Sequence, residues 1–425
     1  MKLVCAPKNY GFPDPKEILG VVLYDSANSD HRGSVGAAVK EQILKDKLAP
    51  AARAWDLLSL ALSVTGADLA GHRSQSPDGW TREFDLEVAT IDPNFWNGQV
   101  ELINRLLSFL TTDRWRLHFV EGGLQPAQDR YVVRPNEDQV ILLSGGLDSL
   151  VGYIDLISSG SRPLAVSQIV KGDAENQRHF AQEIGTGLRH FQINHNAYVP
   201  DPENPPSQRA RSFLFVAYGV LIATTLERYH GGHEVTLYVC QNGFISINPP
   251  LTGSRLGSLS TRTTHPEFLA FIEELLDSAG LHVRIENPYQ VQTKGEILLG
   301  CKNQRLIRTH AVPSVSCGRF KRYGYTHCGR CVPCLVRRAA FRKWGVKDDT
   351  QYVYEDLGRD DKDHAGFDDV RSVAMAILEV RSRGIQDWIG TSLNTATLGD
   401  VAALEAMVRR GLSELESLMN VYGVK

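Results

Sequence analysis

The stretch VILLSGGLDSLVGYIDL, residues 140–156, decides the fold. Apolar residues run straight into Ser144-Gly145-Gly146-Leu147-Asp148-Ser149, and a helical pattern follows over Leu147–Ser158. The pattern predicts a strand, a tight turn and a helix start. Two glycines let the backbone turn sharply and bring N–H groups close to an anion. The helix start adds unpaired donors and a positive dipole end. Ser144 and Ser149 supply hydroxyls. The charge of Asp148 repels phosphate, so its presence predicts a helix cap or a ligand for Mg²⁺. No Walker Gly-Lys-Ser/Thr follows. An ordinary glycine-rich strand–helix turn is the alternative reading.

Outward from this motif, short β-branched or apolar runs occur at 139–143, 163–170, 188–193, 234–240 and 282–285. Helical patterns lie between them at 147–158, 174–184, 209–229 and 266–279. That alternation predicts an α/β domain with a doubly wound parallel sheet. Ligands bind such sheets beyond the carboxyl ends of the strands.

Residues 1–135 read as an N-terminal α+β domain, a small sheet with helices on one face. Trp80–Ala89 and Arg114–Glu121 alternate like half-buried strands, while Leu57–Asp68 and Asn97–Leu110 have helical spacing. Nothing here has catalytic spacing, so the expected role is structural or partner-binding. Gly122–Glu137 reads as a boundary. Residues 136–345 form the central domain. Residues 346–425 begin as a charged tail and become helical over Val370–Ser382 and Leu398–Tyr422.

The chain has 425 residues, 46 Lys+Arg against 49 Asp+Glu, and 42% hydrophobic residues. This excludes wholesale disorder, a collagen-like fibre and a globally basic nucleic-acid coat. The N-terminus MKLVCAPKNYGFPDPKE has no apolar signal core, and the apolar run Phe213–Leu226 is too short to span a bilayer. The expectation is a soluble cytoplasmic protein with no membrane partner.

Four of the seven cysteines, Cys317, Cys328, Cys331 and Cys334, fall in a C-x10-C-x2-C-x2-C pattern. Four soft thiolates in this spacing suit a closed, structural Zn²⁺ site. An iron–sulfur cluster, redox thiols, or His327 as a substitute ligand are the alternatives. Cys5, Cys240 and Cys301 read as core thiols.

The six-residue loop resembles the pyrophosphate loop (PP-loop) of the adenine-nucleotide α-hydrolase-like ATP pyrophosphatases. Together with the cysteine cluster it resembles the QueC family, the 7-cyano-7-deazaguanine synthases. Further matches in order are Asn176-Gln177-Arg178-His179, Arg211-Ser212-Phe213-Leu214-Phe215, His265-Pro266-Glu267-Phe268, and Pro288-Tyr289 with Thr293-Lys294-Gly295-Glu296-Ile297. Ser316-Cys317 and Cys328-Gly329-Arg330-Cys331-Val332-Pro333-Cys334 complete the series. The resemblance implies ATP, Mg²⁺ and Zn²⁺ as cofactors and adenylation of 7-carboxy-7-deazaguanine, followed by amide formation with ammonia and dehydration to a nitrile. It implies that Ser144, Gly145, Gly146, Leu147, Asp148 and Ser149 bind phosphates. Lys294 and Arg211 stabilise the leaving pyrophosphate, and Gln177, Arg178 and His179 line the ATP or substrate pocket.

Two stretches depart from the family. Gly243-Phe244-Ile245-Ser246-Ile247-Asn248-Pro249-Pro250 lacks an expected acid, and Thr261-Arg262-Thr263-Thr264 replaces another motif. The segment Ser258–His265 offers Arg262 and His265 to a carboxylate or a peptide end, or is simply a polar loop. The long N-terminal region and C-terminal helices resemble the QueC-like component of Qat anti-phage systems, and less closely the QueC-like proteins of CBASS operons. This implies antiviral defence with a protein partner from the same operon.

Lys302–Lys343 carries eleven Lys/Arg and no Asp/Glu; subtracting that +11 from the net −3 leaves −14 for the remainder. Aromatic residues are interleaved, so a nucleic-acid or acidic-partner patch competes with pyrophosphate stabilisation and with a solvated zinc segment. The leading expectation is an ATP-dependent ligase joining a small-molecule carboxylate to an amine. The alternatives are a nitrile-forming synthase, a non-catalytic nucleotide-binding scaffold, and a sulfur-transfer enzyme on tRNA.

Overall fold

Strands β1 (Lys2–Pro7), β2 (Leu19–Leu23), β3 (Gly33–Val35), β4 (Glu83–Thr90) and β5 (Arg114–Glu121) form one sheet in the computed structural model, ordered β3-β2-β1-β4-β5. The structure describes all residues except 15, 16, 28, 125–129, 205, 208, 253–261, 359–368, 394–398 and 425. Parts of the expected boundary at 122–137, of the polar loop at 258–265 and of the charged tail, and the expected helix start at Leu398, thus lie outside the described residues.

Every pairing in this sheet is parallel. Helices α1 (Ala37–Lys45) and α2 (Ala52–Ala70) connect β3 to β4, and α3 (Pro93–Gly98) and α4 (Val100–Thr111) connect β4 to β5. Phe84, Leu86 and Val88 of β4 and Trp115, Leu117 and Phe119 of β5 point into the core. The alternate residues form a charged row in which Arg114 bonds Glu83 at 2.9 Å. The α+β expectation is corrected in this respect: the half-buried alternation is real, but the strands run parallel. Such alternation usually marks antiparallel sheets, because parallel ones are mostly covered on both faces.

The second sheet contains β6 (Gln139–Leu142), β7 (Pro163–Gln168), β8 (His190–Ile193), β9 (Val235–Tyr238) and β10 (Val283–Glu286), all parallel, ordered β10-β9-β6-β7-β8. Its helices are α5 (Leu147–Ser158), α6 (Ala174–Ile184), α7 (Arg211–Ala223), α8 (Glu227–His230), α9 (Gly243–Ser246), α10 (Pro266–Ser278), α11 (Lys294–Gly300) and α12 (Gln304–His310). Val140 and Leu142 join the core shared with α7 and α10, while Ile141 and Leu143 join the core with α5, α6 and α11. The expected doubly wound sheet is present. The helix expected over 209–229 breaks after Ala223, where the Thr224 and Thr225 hydroxyls donate back to Leu221 O and Ile222 O.

The two sheets share one core. Helix α2 buries 15 of its 19 residues, between the first sheet and α7. Helix α4 packs on α10. Gly219 lets α7 lie close to its sheet: a Cβ there would fall 2.6 Å from Leu237.

Helix α13 (Val332–Trp344) joins α14 (Asp369–Arg383), α15 (Ile385–Leu393) and α16 (Val401–Val421) in a separate core around Leu335, Val336, Val373, Trp388 and Met407. Among the described residues, no helix is long and apolar enough to cross a membrane.

Candidate active site

The loop leaves β6 at the point where the strand order reverses, between β6 and β9. Gly145 has φ +87°, a turn that disfavours any Cβ. The Ser149 hydroxyl donates to Gly146 O (3.0 Å) and also meets the Ser144 hydroxyl at 3.0 Å, which closes the loop on itself. No side chain caps α5, so its first-turn N–H groups remain available to an anion.

Asp148 does something the sequence does not suggest. It does not cap α5. Its Oδ1 accepts from Lys294 Nζ at 2.5 Å, and Oδ2 accepts from Gln241 Nε2 (2.5 Å) and Asn242 Nδ2 (2.7 Å). Asp148 is 4% exposed and Lys294 5%. The carboxylate therefore ties α5, the end of β9 and the start of α11 together. The Lys294 ammonium on Oδ1 would repel a dication, so the pair as it stands does not suit a Mg²⁺ ion held by Asp148.

Lys294 opens α11, whose N-terminus carries a capping box: Thr293 accepts from Glu296 N, and Glu296 accepts from Thr293 N. The Thr293 hydroxyl also donates to Glu414 of α16 at 2.5 Å. Burial and the nearby Glu296 push the Glu414 carboxyl up to about 7. The C-terminal helices thus reach the helix that carries Lys294.

Arg211 opens α7, and its Nε donates to Gln168 Oε1 at 3.2 Å, at the end of β7. Gln177 is fully buried and donates to Ser144 O and Gln168 O, both at 3.1 Å, joining the ends of β6 and β7. Arg178 is exposed and donates to Gln192 (3.3 Å), and the exposed His179 ring lies 5.1 Å from His310. Among the described contacts, neither touches the phosphate loop.

Arg262 donates to Phe109 O (3.2 Å), and its guanidinium lies 4.5 Å from the Phe109 ring. His265 Nδ1 caps α10 by accepting from Glu267 N at 3.2 Å, and its ring sits 5.1 Å from Phe109. Burial lowers His265 to about 4. Both side chains thus rest on α4 of the first sheet. The two stretches that depart from the family meet, because the Ser246 and Thr264 hydroxyls lie 3.0 Å apart. Asn242 links them to the loop, since it caps α9 and also donates to Asp148.

The four cysteines converge. Their sulfurs lie within 4.8 Å of one another, with Cys317–Cys331 and Cys328–Cys334 both at 3.9 Å. A tetrahedron with Zn–S of ~2.3 Å needs S···S of roughly 3.8 Å, so the cage fits a metal such as zinc. Backbone N–H groups of Arg319 and Cys328 donate to the Cys317 sulfur at 3.3 and 3.4 Å. His327 stays outside the cage, with Nε2 accepting from Ser316 N at 3.2 Å. The adjoining Val315 N donates to Gly145 O (3.0 Å), so the cysteine segment braces the phosphate loop.

Much of the basic segment is structural. Arg330, Arg337 and Arg338 are buried. Arg337 is fully enclosed and donates to Ala311 O, Val312 O and Ser314 O, fixing the residues that lead to Val315. Arg338 donates to Glu355 O and the Tyr422 hydroxyl, both at 2.5 Å.

The family described as "Queuosine biosynthesis protein QueC" matches residues 263–345, which include His265, Lys294 and the four cysteines. A Brucella anthropi protein named 7-cyano-7-deazaguanine synthase is 28% identical over 249 residues, 52% of this chain and 95% of its own length. The chain is QueC-like. Proteins of the same name from Methanocaldococcus jannaschii and Methanococcus maripaludis are 33% identical over 90 and 93 residues, 20% and 21% of this chain. The chain spans about two fifths of the length of these archaeal relatives, 39% and 40%. The QueC-like match ends at Gly345, so α14–α16 lie beyond it.

Gln241, Asn242, Gln168 and Glu414 are site neighbours that motif reading missed. The first three stand at the carboxyl ends of β9 and β7, where the general rule for doubly wound sheets would have sought them.

Proposed function

We propose that the chain is an ATP-dependent, AMP-forming ligase that adenylates a carboxylate of 7-deazaguanine type and transfers the acyl group to an amine. The observation that carries this reading is the buried Lys294–Asp148 pair at the mouth of an uncapped helix start. Phosphate oxygens would take the N–H groups of α5, and Lys294 and Arg211 would offset charge growing on the leaving pyrophosphate. The cysteine cage would hold Zn²⁺ in a structural role. The altered Ser246/Thr264 junction and the flanking helices support a specialised acceptor, and with it a role in anti-phage defence beside a protein partner.

The test is exchange of labelled pyrophosphate into ATP, dependent on 7-carboxy-7-deazaguanine. Exchange in the wild type and its loss in Asp148→Ala would support the reading. No exchange with any deazaguanine acid would overturn it. For the defence role, mass spectrometry of a co-expressed operon partner should find an adduct made by the wild type and not by Asp148→Ala.

A second reading, nitrile formation by a 7-cyano-7-deazaguanine synthase, is favoured by the relatives' name. Free nitrile made from the acid, ammonium and ATP would select it.

A further inference from the structure

An amine donates its electron pair only when unprotonated, and it must lose a proton once it has attacked. A ligase of the proposed kind therefore needs a base near the acyl carbon. Asp148 is already engaged, its oxygens accepting from Lys294, Gln241 and Asn242. A second acid stands at the same loop. Asp173 precedes α6 at the N-cap position, yet its side chain does not cap the helix. Among the described residues its carboxylate has no hydrogen bond. Its Cβ and backbone carbonyl sit against the turn of the loop: a Cβ added to Gly145 would lie 3.3 Å from both Asp173 Cβ and Asp173 O. The bare backbone of Gly145 therefore makes the space that Asp173 shares.

We propose that Asp173 is the general base of the amine-transfer step, an assignment that rests on the ligase reading above. The amine nitrogen attacks the carbonyl carbon of the acyl-adenylate, the C–N bond forms, and the C–O bond to the AMP phosphate breaks. AMP leaves with that electron pair, and the proton lost by nitrogen passes to the Asp173 carboxylate.

The surroundings suit the task. Burial raises the Asp173 carboxyl to about 6, against the pull of the Arg211 guanidinium. A base in this range accepts a proton at neutral pH and releases it again. Arg211 is steered by Gln168, whose Nε2 lies 3.3 Å from His195 Nδ1. His195 is lowered to about 4 by burial and by Arg211, so it stays neutral and leaves the carboxylate as the basic group.

Asp173→Asn in the full chain separates the half-reactions. Pyrophosphate exchange with 7-carboxy-7-deazaguanine should stay within a few-fold of wild type, while amide formation from ammonium chloride falls by about 100-fold or more. Hydroxylamine, largely unprotonated at neutral pH, should still trap the adenylate at near wild-type rate. The melting temperature should change little, because no hydrogen bond is lost and only the attraction to Arg211 goes. Normal amide formation would overturn the assignment, and so would equal loss of exchange and transfer, which would make Asp173 a nucleotide contact. A wild type without exchange would instead overturn the ligase reading, and this step with it.

Discussion

Lys294 Nζ lies 2.5 Å from Asp148 Oδ1, and the two residues, 146 positions apart, are each almost fully enclosed. Removing one partner of a buried pair leaves an uncompensated charge and costs about 3–5 kcal/mol. Asp148→Asn and Lys294→Met should each lower the melting temperature and abolish pyrophosphate exchange. The double variant should recover much of the stability and none of the exchange. Thermal melts beside exchange assays check this, and full activity in either single variant would refute it.

The cysteine cage should couple metal to catalysis through the Val315–Gly145 bond. Cys334→Ser, or a strong chelator, should remove one zinc per chain and also depress exchange by tenfold or more. X-ray absorption should show four sulfur neighbours at ~2.3 Å. Iron in place of zinc would contradict the expectation.

Phe109, on helix α4, supports Arg262 and His265 from the side of the first sheet. It is only half-buried. Phe109→Ala should therefore cost about 1–2 kcal/mol, below the range for a fully buried Phe. It should raise the KM for the carboxylate substrate severalfold and leave the KM for ATP unchanged. Equal effects on both substrates would deny the loop a role in carboxylate binding.

Acid should unfold the chain early. His190, His195 and His265 are each lowered to about 4, chiefly by burial. They stay neutral in the native state and take up protons in the unfolded chain near its ordinary value of about 6.5. The unfolded state thus binds more protons between pH 6.5 and about 4, so stability falls as pH drops through that window. Each group contributes on the order of 2–3 kcal/mol. His265→Asn puts a capping amide oxygen in place of Nδ1 and should flatten the decline, as denaturant titrations at pH 7 and 5 would register.

Local pattern made the central half legible. Helices α5 and α6 fall on the bounds their spacing predicts, because a glycine-rich turn starts one and apolar periodicity carries both. Strands β1–β3 escaped notice because, among the described residues, no helix separates them: β1 pairs with β2 16 positions on and β2 with β3 12 positions on, so the strand–helix alternation that signals parallel pairing is missing there. The Asp148 partners at 241 and 242 were hidden for a different reason: no local signature joins residues 93 and 94 positions apart. The +11 segment read as a possible surface for polyanions, yet three of its arginines are enclosed and used on backbone oxygens. A charge count cannot see burial.

The position of α2 between the first sheet and α7 has a consequence for any shortened form. A chain starting at Asn136 would keep every residue of the phosphate loop and the cysteine cage. It would also strip the cover from the apolar flanks of α7 and α10, and with it the carbonyl that holds Arg262. Such a fragment should clump rather than work, and heating the whole chain should melt both sheets at one temperature.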